Sequence, residues 1–403
     1  MKKLFVMMLC MLLLSGCTAP AVEPPSEPAY LDNSPVPNIR TGIDRSGITC
    51  FGHSMEVTEN GVYFMCHGDG GATYLLYCDH GSDTLIKLCG RPDCDHTGYH
   101  CNARFEGGIN VCYDGTKLYV AEQAGTIVKV YRLDPDGGNR EQIMDNGAVR
   151  AGFNKGSTGV RIVNGICFFS LGKMVSGEIQ ETCFYFKLDG SMEQPQQVPE
   201  GLSASYMDGH NFIMVGPAKY DDRAQGGRYL WDPDTNTAQW LMDQPEWFYG
   251  YVSVNGIYYV DEGIIYRKNA GDETTDMLFD TGMEGAYELK GFPDCFVLMQ
   301  REIWWREGEE TVDPEDKTLY FYNWDYESMG EVEITYPTNL DVDQLICGET
   351  ADRFFLADYA LGVPEYYIEK SDLGTGNIEI HSLELPEGII RRDPDEDLDP
   401  WEE

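Results

Sequence analysis

The chain has 403 residues, of which 68 are acidic and 29 basic, giving a formal net charge of −39. That balance argues against nucleic acid or anionic lipid as the main partner, because both are held by basic patches. At 42% hydrophobic and 12% aromatic the chain is globular, and its length suits one large repeat domain or two ordinary ones.

The N-terminus reads as an export signal. Lys2 and Lys3 precede an apolar run over residues 4–14, too short for a mature transmembrane helix, which takes about 20 residues. Leu14, Ser15, Gly16 and Cys17 follow, a string that resembles the lipobox of bacterial lipoproteins. The resemblance implies that residues 1–16 are a removed signal peptide and that Cys17 is the lipidated N-terminus. Several acyl chains on one residue give stable anchoring, so the bilayer is one expected partner and the extracytoplasmic face of the cell membrane the expected location. An ordinary secretory signal with an incidental Cys17 is the alternative. Residues 17–42 carry Pro20, Pro24, Pro25, Pro28, Pro35 and Pro37, and read as an extended spacer.

Residues 43–390 contain a repeated phrase, an Asn/Asp–Gly turn followed by an apolar-aromatic strand. It begins at Asn60-Gly61, Asp114-Gly115, Asn164-Gly165, Asp208-Gly209 and Asn255-Gly256, with weaker copies at Pro293-Asp294 and Ala351-Asp352. A second strand follows most copies, as in Leu75-Leu76-Tyr77-Cys78-Asp79 and Phe184-Tyr185-Phe186-Lys187-Leu188. Copies start about 40 to 60 residues apart, the period of propeller blades. Units of three or four short strands bury both faces only by stacking on neighbours. The expectation is an all-β propeller of seven blades with almost no helix. Six and eight stay open because the last two copies are faint. A pair of β-sandwiches would give no reason for one phrase to recur.

The first part of this domain is rich in Cys and His. Cys50, Cys66, Cys78, Cys89, Cys94, Cys101 and Cys112 lie there, with His53, His67, His80, His96 and His100. The densest part is a loop over residues 89–101, between the first two blades. Cys89, Cys94, His96 and Cys101 would make a closed Cys3His set for one structural zinc ion. The other reading is disulfides, the default outside the membrane, with Cys66 and Cys78 as one bridge and the loop cysteines as another. Without Cys10 and Cys17, the 13 cysteines of the chain fall to an odd number, so one stays free or a metal takes an odd share. Cys167, Cys183, Cys295 and Cys347 sit in strand phrases and read as core residues.

The loop string, Leu-Cys-x-x-Pro-Asp-Cys-x-His-x-x-x-x-Cys-Asn-Ala over residues 88–103, stands among Tyr-rich strand repeats behind the lipobox. In this it resembles a group of uncharacterised Tyr-rich propeller lipoproteins of clostridia-type gut bacteria. The resemblance implies a fold and a location, and no activity.

Three segments are dense in aromatics: residues 247–251, Trp304-Trp305, and residues 320–326. A stacking platform for sugars or peptides is one reading, and packing between blades the other. The acidic tail, residues 391–403, lacks the ligand order of a calcium loop and reads as solvated. No Gly-x-Ser-x-Gly elbow is present for a propeller-capped serine hydrolase. The expected function is therefore non-catalytic binding of an extracellular glycan, peptide or envelope protein. A lyase or hydrolase using acidic residues at the channel mouth, and a scaffold in an envelope complex, are the alternatives.

Overall fold

The computed structural model describes residues 55–68, 72–156, 160–208, 211–218, 226–245, 250–271, 274–285, 287–300, 317–335, 345–357 and 364–389. The export signal, Cys17, the linker, Cys50, His53, residues 246–249, Trp304-Trp305 and the acidic tail lie outside them.

The described elements form seven antiparallel sheets, the seven blades of a β-propeller. Blade 1 contains β1 (Met55–Val57), β2 (Gly61–His67), β3 (Thr73–Asp79) and β4 (Ile86–Lys87), with β5 (Arg104–Phe105) returning to pair with β3. Blade 2 contains β6 (Gly108–Tyr113), β7 (Leu118–Ala124), β8 (Ile127–Leu133) and β9 (Glu141–Asp145). Blade 3 contains β10 (Lys155–Gly156), β11 (Arg161–Val163), β12 (Ile166–Val175), β13 (Glu178–Lys187) and β14 (Gln196–Gln197). Blade 4 runs through β15 (Ser203–Asp208), β16 (Asn211–Gly216), β17 (Gly227–Asp232) and β18 (Thr237–Asp243). Blade 5 is β19 (Gly250–Ser253), β20 (Gly256–Asp261), β21 (Ile264–Asn269) and β22 (Thr275–Asp280). Blade 6 is β23 (Tyr287–Gly291), β24 (Cys295–Gln300), β25 (Thr318–Asn323) and β26 (Ser328–Glu333). Blade 7 is β27 (Ile346–Glu349), β28 (Arg353–Ala357), β29 (Pro364–Glu369) and β30 (Ile380–Ser382).

The repeated phrase has one structural meaning. Each copy that lies within the described residues is the turn into the second strand of its blade. In blade 3, Val163 and Ile166 are paired across the turn, and Asn164 and Gly165 both take positive φ, 44° and 73°. A two-residue hairpin turn of matching twist requires this, and Asn-Gly supplies it at low cost.

The strands are apolar without clean alternation because both faces are covered. In β12, Ile166 and Phe168 face one core with Phe212, Tyr229 and Trp231 of blade 4. Cys167, Phe169 and Leu171 face another with Ala121, Val128 and Val130 of blade 2. First strands of neighbouring blades approach one another, as β27 does β1, and β1 does β6. Side chains link them by hydrogen bonds. Glu56 Oε1 accepts from the Tyr113 N–H at 2.9 Å, and Asn110 Oδ1 accepts from the Ile162 N–H at 2.8 Å. Lys290 Nζ donates to the Ile346 carbonyl at 2.8 Å.

Each blade is built from consecutive strands, and among the described residues no swapped strand closes the ring. Closure instead uses the segment after β30. Glu384 bridges Thr84 in parallel, its N–H donating to the Asp83 carbonyl at 2.6 Å and its carbonyl accepting from the Leu85 N–H at 2.9 Å. Arg353 of blade 7 pairs with Glu369 at 2.9 Å and donates to the Ser82 carbonyl of blade 1 at 2.9 Å.

The expected Cys66–Cys78 bridge is corrected by the register. Cys66 lies opposite Tyr74 and Cys78 opposite Val62, four pairs along the same ladder. At ~3.3 Å per residue that is ~13 Å, well past the ~7 Å limit between bridged Cα atoms. Both cysteines are buried as small apolar residues, as are Cys112, Cys167, Cys183, Cys295 and Cys347.

The described aromatic segments pack between blades. Trp324 lies 6.1 Å from Tyr251, 5.8 Å from Tyr258 and 5.3 Å from Phe296, ring centre to ring centre, and its Nε1 donates to the Phe292 carbonyl at 2.9 Å. These rings join blades 5 and 6. No helix among the described residues is long and apolar enough to cross a membrane.

Candidate metal centre

The loop over residues 88–103 leaves blade 1 after β4 and returns through β5, where Arg104 pairs with Tyr74 and Phe105 with Thr73. Both ends are thus clamped to β3. Turns fold the interior: the Cys94 N–H donates to the Arg91 carbonyl at 3.2 Å, and the Cys101 N–H to the Gly98 carbonyl at 3.0 Å. Arg91 also donates through its guanidinium to the His100 carbonyl. Asp95 Oδ1 accepts from the Thr97 N–H at 3.1 Å. Between these turns His96 has φ of 60°, an uncommon conformation for a residue with a side chain, and its carbonyl accepts from the Tyr74 hydroxyl at 3.2 Å.

This folding gathers all four expected ligands. One donor atom from each of Cys89, Cys94, His96 and Cys101 lies within 4.8 Å of every other. Cys89 Sγ and Cys101 Sγ are 3.7 Å apart, and His96 Nδ1 is 3.4 Å from Cys101 Sγ. A disulfide needs ~2.05 Å between sulfurs. A tetrahedral zinc site with Zn–S near ~2.3 Å and Zn–N near ~2.0 Å has S···S edges of ~3.8 Å and S···N edges of ~3.5 Å. These two spacings lie close to those edges, and with all four donors within 4.8 Å the set suits a tetrahedral ion. Cys89 and Cys101 are buried, at 4% and 1% exposure, in a small core with Ala103.

The surroundings treat the thiols differently. Burial works to raise the Cys89 thiol, but hydrogen bonds from the Asn102 and Arg91 backbone and the Cys94 and Cys101 thiols leave it below its ordinary value. Burial pushes the Cys101 thiol up to about 12. Backbone N–H groups aimed at sulfur stabilise a thiolate, the ligand form of cysteine.

Sequence reasoning missed the supports of this loop. Asn102 Nδ2 donates to the Cys89 carbonyl at 3.3 Å and to the Gly137 carbonyl at 2.8 Å, tying the loop to the β8–β9 turn of blade 2. Arg140 Nη1 donates to the Arg104 carbonyl at 2.9 Å and to the Cys101 carbonyl at 3.4 Å. Its guanidinium lies 4.0 Å from the Phe105 ring centre and 4.1 Å from that of Tyr131. Asn102 stood inside the Cys-Asn-Ala string, whereas Arg140 sits in another blade and carried no local signal.

No family profile matches the chain, and no curated protein does. Solved structures with a similar fold include TolB from Acinetobacter baumannii, 14% identical over 67% of this chain and 62% of that one, with a TM-score of 0.34. A post-proline cleaving enzyme from Rickettsia typhi is 10% identical over 87% of this chain and 54% of its own, TM-score 0.46. The β-propeller domain of the Trilobed protease from Pyrococcus furiosus, described as having an open velcro topology, is 8% identical over 82% and 93%, TM-score 0.40. What is shared is the fold. The chain spans 62% of TolB and 54% of the Rickettsia enzyme, and these likenesses carry no argument about activity.

Proposed function

We propose that the chain is a lipid-anchored, extracytoplasmic propeller that binds an extracellular glycan, peptide or envelope protein without catalysis. We further propose that its loop holds one structural zinc ion between blades 1 and 2. The observation that carries the metal reading is the convergence of four donors, three sulfurs and one imidazole nitrogen, within 4.8 Å. Cys89, Cys94, Cys101 and Nδ1 of His96 would fill all four positions. Zinc held this way supplies folding energy, with no position left for water or substrate. The binding reading is supported by a rigid wheel of blades that presents loops at its faces, and by an open, polar-lined hollow beside the metal loop.

The test is metal analysis with thiol counting on the full chain in detergent, purified without chelator. One zinc per chain, absent from Cys94→Ser and His96→Ala, supports the site. Metal-free protein whose loop thiols react only after reduction would replace zinc by a disulfide. Release of the chain from membranes by Cys17→Ala, without loss of folding, tests the anchor. Sustained turnover in a glycan and peptide substrate screen would overturn the non-catalytic reading.

A further inference from the structure

A hollow of about 520 Å³ opens between the metal loop and one face of blade 2. Its floor is a strip of that blade: Glu122 and Lys129 are ladder partners, Tyr131 follows two places along β8 on the same side, and Gln142 is the partner of Tyr131. The metal loop and β5 supply the other wall, with Tyr99, His100, Asn102 and Arg104. The volume suits a ligand of one or two sugar rings, within the usual ~300–1,000 Å³ of small-molecule sites.

The charges here differ from those of the molecule. Lining the hollow are three cations, Arg104, Lys129 and Arg140, and two carboxylates, Glu106 and Glu122, in a chain of net charge −39. Arg140 is committed to carbonyls and rings of the loop. Glu122 is committed as well: Oε1 accepts from the Glu106 N–H at 2.7 Å and the Gly107 N–H at 3.3 Å, and Oε2 from the Tyr131 hydroxyl at 3.0 Å. Arg104 and Lys129 form no ion pair among the described residues, although acids outnumber bases by more than two to one. Elsewhere Lys187 pairs with Asp234 and Arg267 with Asp276. Two cations without an ion-pair partner on the lining of one polar hollow suit an oxyanion.

The remaining groups specify what carries that oxyanion. Tyr99 is 75% exposed, with the Arg104 guanidinium 4.8 Å from its ring centre on one side. A ring this exposed on the wall of the hollow offers a stacking surface for the C–H face of a saturated ring. The exposed side chains of Glu106 and Gln142 at the rim offer acceptors and a donor for hydroxyl groups. We propose that this hollow binds a small acidic sugar, its carboxylate or phosphate held by Arg104 and Lys129 and its ring laid on Tyr99. This rests on the reading of the chain as a binder, and names its ligand class.

The experiment is calorimetric titration of the zinc-loaded full chain in detergent with glucuronate, glucose 6-phosphate and glucose. At least one acidic sugar should bind at least ~10-fold more tightly than glucose, and whichever of the two wins identifies the oxyanion. Arg104→Ala and Lys129→Ala should each weaken that binding ~10-fold with thermal midpoint and zinc content unchanged, while Lys129→Arg retains it. Should either alanine variant fold poorly, Arg104→Gln and Lys129→Gln ask the same question with little loss of volume. Equal affinity for glucose, or acidic-sugar binding indifferent to all these substitutions, would overturn the proposal. So would failure of both acidic sugars to bind. The binder reading fails on different evidence, the conversion of these or other ligands into products.

Discussion

Burial lifts the Glu56 carboxyl from 4.5 to about 7, with the Tyr113 N–H pulling the other way. The folded chain therefore holds this proton more tightly than the unfolded chain. Between those two values the native state binds more protons, so stability falls as pH rises. The contribution is complete below pH 4.5 and lost as pH climbs through about 7. Urea midpoints taken from about pH 5 to 8 should decline for the native sequence and decline less for Glu56→Gln, whose side-chain oxygen still accepts from Tyr113. The proposed zinc ligands act at the same scale. With free zinc at a thousandfold excess over its Kd, a site of this kind adds ~4 kcal/mol to stability. Cys94→Ser and His96→Ala should lose that increment, read as a lower thermal midpoint that chelator no longer changes. His96 is what kept metal in contention at the sequence level, because a disulfide has no use for an imidazole. Cys66 and Cys78 misled because membership of adjacent strands says nothing of register, and the ladder sets them four pairs apart.

At the scale of elements, the metal loop is shaped by its neighbour blade as much as by its own sequence. The β8–β9 turn, residues 134–139, has the Asp and Gly content of an ordinary hairpin loop. Its second role is not visible in that content. Gly137 takes φ of 79°, and a Cβ there would stand 2.6 Å from the Leu88 carbonyl oxygen, while Gly90 approaches Gly138 from the other side. Gly137→Ala should cost ~2 kcal/mol through the close approach and the disfavoured φ. Because the same glycine's carbonyl accepts from Asn102, zinc should also be released at lower chelator concentration than from the native chain. Zinc retention identical to native at equal chelator would show that the turn does not brace the loop. The aromatic segment over residues 320–326 illustrates the opposite case. A strand covered on both faces needs large apolar residues whether or not it binds anything, so its composition could not separate packing from recognition, and the ring contacts of Trp324 decided for packing.

At the scale of the whole molecule, the last and first blades share an apolar cluster, with Phe64 against Phe355, and a set of polar contacts at its edge. Arg353, 8% exposed, bonds Glu369, Asp83 and the Ser82 carbonyl and lies 4.0 Å from the Tyr367 ring centre. Replacing it by alanine removes a buried guanidinium whose acceptors are partly exposed and can turn to water, at a cost of ~1–2 kcal/mol. Urea unfolding should show that loss for Arg353→Ala, and removal of residues 383 onward should exceed it, since the bridge to Thr84 goes too. A deletion with unchanged midpoint would mean that core packing between blades 7 and 1 suffices.

The all-β propeller was legible in the sequence, because Asn-Gly turns and apolar strands are local signals and recurrence multiplies them, whereas the choice of seven blades over six or eight was fixed by the seven sheets of the structure. The sequence also put four donors, Cys89, Cys94, His96 and Cys101, within thirteen residues of one loop, with zinc and disulfide both open, and the structure added that the four donor atoms lie together. The tertiary structure decided strand register, the closure through Arg353 and Glu384, the bracing of the loop by Asn102 and Arg140, and the hollow lined by Arg104 and Lys129. Each of these joins residues from separate blades or sets one strand against another. Such pairings follow from how blades stack, and the local spacing of residues carries no record of that.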